Sequence, residues 1–384
     1  TRATSAQSVA TATSGPKPSA AAHAATTPDT SAADFPPVVP GVELQFPRDF
    51  GAHPSFRTEW WYLTSIVDTS TGPLGVQLTF FRSRTPYGRT NPSRFAPRQL
   101  MFAHAAIADP AHGRLLHAEQ AWREDPVLAR SREGDTDVRI GPPHRRWQLQ
   151  RDRQDIYQAA ITDPAFRLQL SARPPSKPVL QGEAGFSRKG LDDLQASYYY
   201  SRPQLQITGR LERPEQAPLT FTGTGWLDHE WSSELLDPQA EGWDWVGLNF
   251  ADGSALMAFQ MRADDGPPLR RTARLVDANG TGHDVPVQFS TVRQWESPHT
   301  GARYPVSVRL QAGPLDLLLV PLLDDQELDS RRSTGTVYWE GAMRVYSWST
   351  AAAQAAGQPQ KSPDTPVVGQ GYLEMTGYAA PIKF

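Results

Sequence analysis

The chain contains no cysteine. That removes disulfides, thiolate metal sites and cysteine nucleophiles at once. It also lacks an excess of positive charge: 38 lysines and arginines stand against 41 acids, for a net charge of -3. No basic field is present to hold nucleic acid or an anionic membrane. No apolar run reaches the roughly 18 residues needed to span a bilayer. The densest, "LDLLLVPLL" at 315–323, is short and interrupted by Pro321. A sustained 3.6-residue apolar period is missing too, and only "LDDQELDSRR" (323–332) is expected to form a helical turn or two. Nucleophile and phosphate motifs are absent. "GFSRKG" (185–190) has the wrong spacing for a nucleophile elbow, and "GTGWLD" lacks the third glycine of a phosphate loop. In "HEWSS" the second histidine of a zinc-protease helix is replaced by Ser233.

What the chain has is β-strand texture. Runs such as "EWWYLTSIV" (59–67), "LGVQLTFFR" (74–82), "AFRLQLSA" (165–172), "GTGWLDHEW" (223–231), "WDWVGLNF" (243–250) and "YWEGAMRVYSW" (338–348) alternate or are densely apolar. The 35 prolines and 29 glycines punctuate them, which predicts an all-β fold. Asp252-Gly253 and Asn279-Gly280 are expected to close two-residue hairpins. At 384 residues the chain is too long for one small barrel. Two β units are expected, over 41–235 and 236–384, meeting near "LDPQAEG" (236–242). Residues 1–40, rich in Ala, Thr, Ser and Pro, are expected to form a disordered tail. Such a leader fits an exported protein; a plain flexible terminus fits equally. "AAAQAAGQPQKSPDTPVVGQ" (351–370) reads as a surface loop.

The stretch "WLDHEW" (226–231) carries the most chemistry. On an unbroken strand Leu227, His229 and Trp231 face one way, and Trp226, Asp228 and Glu230 the other. An acid partner for His229 must therefore come from another strand, and Glu59 and Asp244 are the candidates. Six of eleven tryptophans fall at 60, 61, 226, 231, 243 and 245. Each ring buries about 150–250 Å² and its N–H seeks a partner. An aromatic-walled site and an ordinary β core both fit this clustering. His104, in "MFAHAAI", needs a partner if it faces inward. Metal binding by His53, His104 and His229 is open geometrically, yet no spacing calls for a metal or a cofactor.

Together "HPSFRTEWWYLTS", "GVQLTFFR", "YYYSRPQLQITGRL", "GTGWLDHEWSS", "GWDWVGLNFADGSALMAFQMR", "YWEGAMRV" and "GYLEMTGY" resemble the secreted lipocalin-like family that includes carotenoid 1,2-hydratases. Its bacterial members are often labelled predicted secreted hydrolases, and some are encoded beside ABC-transporter genes. The resemblance implies two lipocalin-like antiparallel β-barrel or sandwich domains with a ligand cavity near their contact. It implies a hydrophobic, isoprenoid- or lipid-like ligand and a periplasmic or secreted location. Two function classes follow. One is a hydratase or isomerase, a hydro-lyase working by acid catalysis with His229, Asp244 and Glu59. The other is a non-catalytic carrier or chaperone associated with an ABC exporter in the cell envelope. Trp60, Trp61, Trp231, Trp243, Trp245 and Asn249 are the expected ligand contacts. Asp228 and Glu230 are expected to hold the strand through hydrogen bonds.

Overall fold

Alternation and turn residues resolve the chain into antiparallel strands in the computed structural model, which describes residues 35–85, 91, 93, 96–234, 236–264, 266–349 and 366–382. Among these residues the fold is all-β, with a nearly closed, barrel-like first sheet and a half-barrel second sheet. The first sheet, 13-stranded among the described residues, runs through Leu115–Arg123, Gln99–Ala108, Gly72–Arg84 and Thr58–Thr69 to Leu219–Glu234. It continues through Ala196–Glu212, Arg167–Arg173, Tyr157–Thr162, Trp147–Arg151 and Asp137–Ile140 to Ala129–Ser131. Its two ends approach each other. There Gln120 donates to the Arg145 carbonyl at 2.9 Å. The chain leaves this sheet at Glu234 and enters the second at Ala240. At the centre of the second sheet Ala240–Phe250, Gly369–Met375 and Thr336–Ser347 lie side by side.

Period-two alternation divides the apolar residues into three layers. Trp61, Leu63, Tyr200, Leu227 and Trp231 join the core inside the first sheet. Val246, Leu248, Trp339, Met343 and Leu373 fill the second. Tyr62, Tyr199, Trp226, Trp245, Tyr338 and Tyr372 form a third layer between them. The backbones come close here. A Cβ on Gly75 would stand 2.5 Å from both Ala342 Cβ and Tyr372 Oη, so this contact requires a residue without a side chain.

Several sequence expectations change. Of the tail expected over 1–40, residues 1–34 lie outside the described residues. Phe35 and Val38 are buried, and the Pro36 carbonyl accepts a hydrogen bond from Ser233 at 2.6 Å. These side chains find a partner surface on the barrel that composition alone does not reveal. The helical turns expected over 323–332 are instead the strand Glu327–Ser330, paired with Thr336–Ser347. Tertiary pairing overrides a polar sequence with helix-forming residues. Both predicted hairpins exist, but as three-residue loops. Phe250 N–H bonds the Ser254 carbonyl and Asp277 N–H the Thr281 carbonyl, each at 2.9 Å. Only Gly253 and Gly280 take positive φ, at 86° and 85°, the αL position of such a loop. Of the loop expected over 351–370, residues 351–365 lie outside the described residues, and Gly369 already begins a strand.

Candidate functional site

Two polar clusters lie on opposite faces of the same pair of strands, Thr58–Thr69 and Leu219–Glu234. Glu59 stands opposite Trp231, and Trp61 opposite His229. These four residues point into the first sheet's interior. The neighbouring strands add Arg82 opposite Glu59 and Tyr200 opposite His229. Trp60, Tyr62, Asp228 and Glu230 point the other way, toward the second sheet. Consecutive residues on a strand cannot share a face, so Trp60 and Trp61 serve different layers.

The interior cluster centres on Glu59. Its Oε1 accepts from His229 Nε2–H at 2.9 Å and His53 Nδ1–H at 2.8 Å. Its Oε2 accepts from Arg82 Nε at 2.8 Å and the His53 backbone N–H at 2.9 Å. Arg82 is itself buried and donates to Gln99 Oε1 and to the His53 and Phe56 carbonyls. Tyr200 Oη donates to His229 Nδ1 at 3.0 Å. Trp61 stacks on His229 with centroids 4.6 Å apart, and Trp231 stacks on His53 at 3.7 Å. Burial alone would push the Glu59 carboxyl up; Arg82, His53 and His229 together outweigh it and hold the group well below the carboxylate range. Burial drives His229 down to about 4 despite Glu59, so the ring is neutral near pH 7. His53 moves the opposite way: burial would lower it, and Glu59 and Asp49 outweigh that.

The inter-sheet cluster contains the unusual acids. Trp245, Glu374 and Glu340 stand side by side across three strands of the second sheet. Tyr62 Oη donates to Glu340 Oε2 at 2.6 Å, and Trp243 Nε1 donates to Glu374 Oε1 at 2.6 Å. Glu340 Oε1 and Tyr372 Oη are buried and find no hydrogen-bond partner among the described residues. Burial first, and then the charge of Glu374, push the Glu340 carboxyl well above its ordinary range. Burial pushes Glu374 up to about 7 although part of its surface meets solvent. Opposite them, Asp228 accepts from Tyr199, Ser201 and Trp226, each at 2.6 Å. Burial still lifts it to about 7. Glu230 accepts from Ser197 and pairs with Lys189 Nζ at 2.8 Å.

The structure thus brings His229 to Glu59 and keeps Asp244 away. Asp244 lies inside the second sheet, where Gln260 Nε2 and Arg262 Nε reach it at 2.6 and 3.1 Å. The tryptophans expected to wall one region divide between two. Trp61 and Trp231 flank His229, whereas Trp60, Trp243 and Trp245 belong to the inter-sheet layer. Asn249, expected to touch ligand, ties the sheets together. It accepts from the Gln204 backbone N–H at 2.7 Å and donates to the Gly225 carbonyl at 3.2 Å. Asp228 and Glu230 contact Tyr199, Ser201, Trp226, Ser197 and Lys189. His104 finds Tyr338 Oη of the second sheet at 2.6 Å and Ser333 Oγ, in the turn before that strand, at 2.9 Å. Sequence reasoning passed over Glu340 and Glu374. The available signal was an acid on an otherwise apolar strand face, between Tyr338 and Ala342 and two residues after Tyr372.

The AttH-like family description matches residues 37–378. The crystal structure of an AttH-type protein of Nitrosomonas europaea is 45% identical, covering 90% of this chain and all of that one, with a TM-score of 0.78. Kievitone hydratase of Nectria haematococca is 15% identical over 90% of this chain and 98% of its own, with a TM-score of 0.63. CghA in complex with Sch210972 is 12% identical over 84% and 89%, with a TM-score of 0.53. At these lower identities the likeness is one of fold. No curated protein matches. The protein belongs to the AttH-like family.

Proposed function

We propose that this protein takes a neutral, hydrophobic small molecule between its two sheets and hydrates or isomerises an isolated double bond by acid catalysis. One observation carries the reading: Glu340 and Glu374 stand opposite each other on adjacent strands, both pushed toward their protonated forms, with Glu340 Oε1 left unpaired. A carboxylic acid kept neutral near pH 7 is the group that alkene protonation requires. The acid O–H breaks as a C–H bond forms, and the double bond's electron pair leaves a carbocation. Nearby aromatic faces stabilise such a cation, by about 2 kcal/mol or more once water is excluded; Trp60, Trp243 and Trp245 are among the rings of this layer. Water adds to the cation and returns its proton to the carboxylate, which restores the acid. In isomerisation the carboxylate takes a neighbouring C–H proton instead. A relative of the same fold carries the name hydratase, which supports the class of reaction and leaves the substrate open.

The test is incubation of the purified protein with a panel of isoprenoid alkenes in isotopically labelled water, read by mass spectrometry. Incorporation of one water or a shifted double bond is expected, lost in Glu340→Gln and Glu374→Gln. Turnover that survives both substitutions sinks the assignment. Capture of the molecule without chemistry leaves a carrier.

A further inference from the structure

We propose that His53, Glu59 and His229 form a binding site for one divalent transition-metal ion, with zinc as the best match to the donor set. The inference goes beyond the inter-sheet chemistry and does not rest on it, since the site lies on the other face of the sheet.

The three residues come from three separate places: the segment before Thr58–Thr69, that strand itself, and Leu219–Glu234. Each offers one ligand atom, and these atoms lie within 4.8 Å of one another. Both imidazoles already converge on a single carboxylate oxygen, at 2.8 and 2.9 Å. Metal–ligand bonds of about 2.0–2.2 Å at tetrahedral angles need donors about 3.3 Å apart. An outward movement of about 0.5 Å would therefore admit an ion.

The surroundings of the ligands are the second observation. Histidines that bind metal usually give their other ring nitrogen to a carboxylate, carbonyl or comparable partner. His53 directs Nε2 at Asp49 Oδ1, 3.3 Å away, and His229 directs Nδ1 at Tyr200 Oη, 3.0 Å away. Glu59 has its second oxygen fixed by Arg82 at 2.8 Å, which leaves Oε1 as a single-oxygen ligand. Trp61 and Trp231 hold both imidazole planes by stacking. In the bound form each ring carries its proton on the outer nitrogen, toward Asp49 and Tyr200, and both inner nitrogens give lone pairs to the ion. Two imidazoles and one carboxylate suit zinc, cobalt or nickel. They do not suit magnesium or calcium, which demand six or more oxygen ligands. His53, whose side chain is 15% exposed, offers the route in.

The full chain, stripped with chelator, should be reloaded with zinc chloride or cobalt chloride and dialysed. One equivalent of ion per chain is expected by elemental analysis, with a cobalt visible spectrum of a four- or five-coordinate site. His53→Ala, at the rim of the cluster, should lose the equivalent. Asp49→Asn should weaken binding about 10- to 100-fold. The exposed His283→Ala and the inter-sheet Glu340→Gln should bind as the wild type does. A wild-type chain that retains no ion, or one held equally by His53→Ala and Asp49→Asn, overturns the proposal.

Discussion

Glu340 and Glu374 are directly opposed across two antiparallel strands of the second sheet. Two ionised carboxylates in that position would repel each other across a short cross-strand gap. Burial has removed the water that would screen Glu340 and part of that around Glu374. Protonation relieves the conflict, so this pair stores protons that the unfolded chain would release.

That storage has a signed consequence for pH. Glu374 has a folded-state pKa of about 7, above the ordinary carboxylate value. The folded state therefore binds more protons than the unfolded state between about pH 4.5 and 7. Its contribution is fully present below that window and is lost as pH rises through it. Thermal unfolding of the wild type and of Glu374→Gln, followed from pH 4.5 to 8, should diverge across that window in favour of the variant and level off above it. Parallel curves would show that Glu374 is ionised in the folded protein.

Arg82 holds the interior cluster. It is fully buried and gives hydrogen bonds to Glu59, Gln99 and two backbone carbonyls. Arg82→Met leaves a buried carboxylate without its guanidinium and should cost about 3–5 kcal/mol. Chemical denaturation measures this. A loss under 1 kcal/mol would mean that the two histidines alone support Glu59.

Asn249 acts as a fastener between the sheets, and Asn249→Ala removes the acceptor of the Gln204 N–H and a donor to the Gly225 carbonyl. A destabilisation of about 1–3 kcal/mol is expected. A variant that keeps full stability but loses ligand capture would return Asn249 to the role of a ligand contact.

Gly75 tests how closely the sheets must pack. Gly75→Val places a branched side chain where Ala342 and Tyr372 already approach a Cβ position to 2.5 Å. Overpacking of this kind costs about 1–3 kcal/mol. It should also disturb the Tyr62–Glu340 hydrogen bond, and with it any activity of the inter-sheet acids. Unchanged stability would show that the sheets slide apart freely.

Most of the strands are legible in the sequence, because a period of two and turn residues at Asp252-Gly253 and Asn279-Gly280 act locally; the polar strand Glu327–Ser330 is not. The sequence also determined that Asp228 and Glu230 face away from His229, since alternation is a property of one strand. Tertiary structure decided everything that depends on pairing. Register placed Glu59, not Asp244, beside His229, and it aligned Glu340 with Glu374 from segments far apart in the chain. Layering decided which side of each strand meets the second sheet, and so which of Trp60 and Trp61 joined which layer and that Trp231 and Trp245 are apart. Even the segment after Phe35 is ordered by a surface that only the folded barrel provides. Local pattern fixes directions along one strand; proximity between strands arises from long-range burial, which no short window of residues contains.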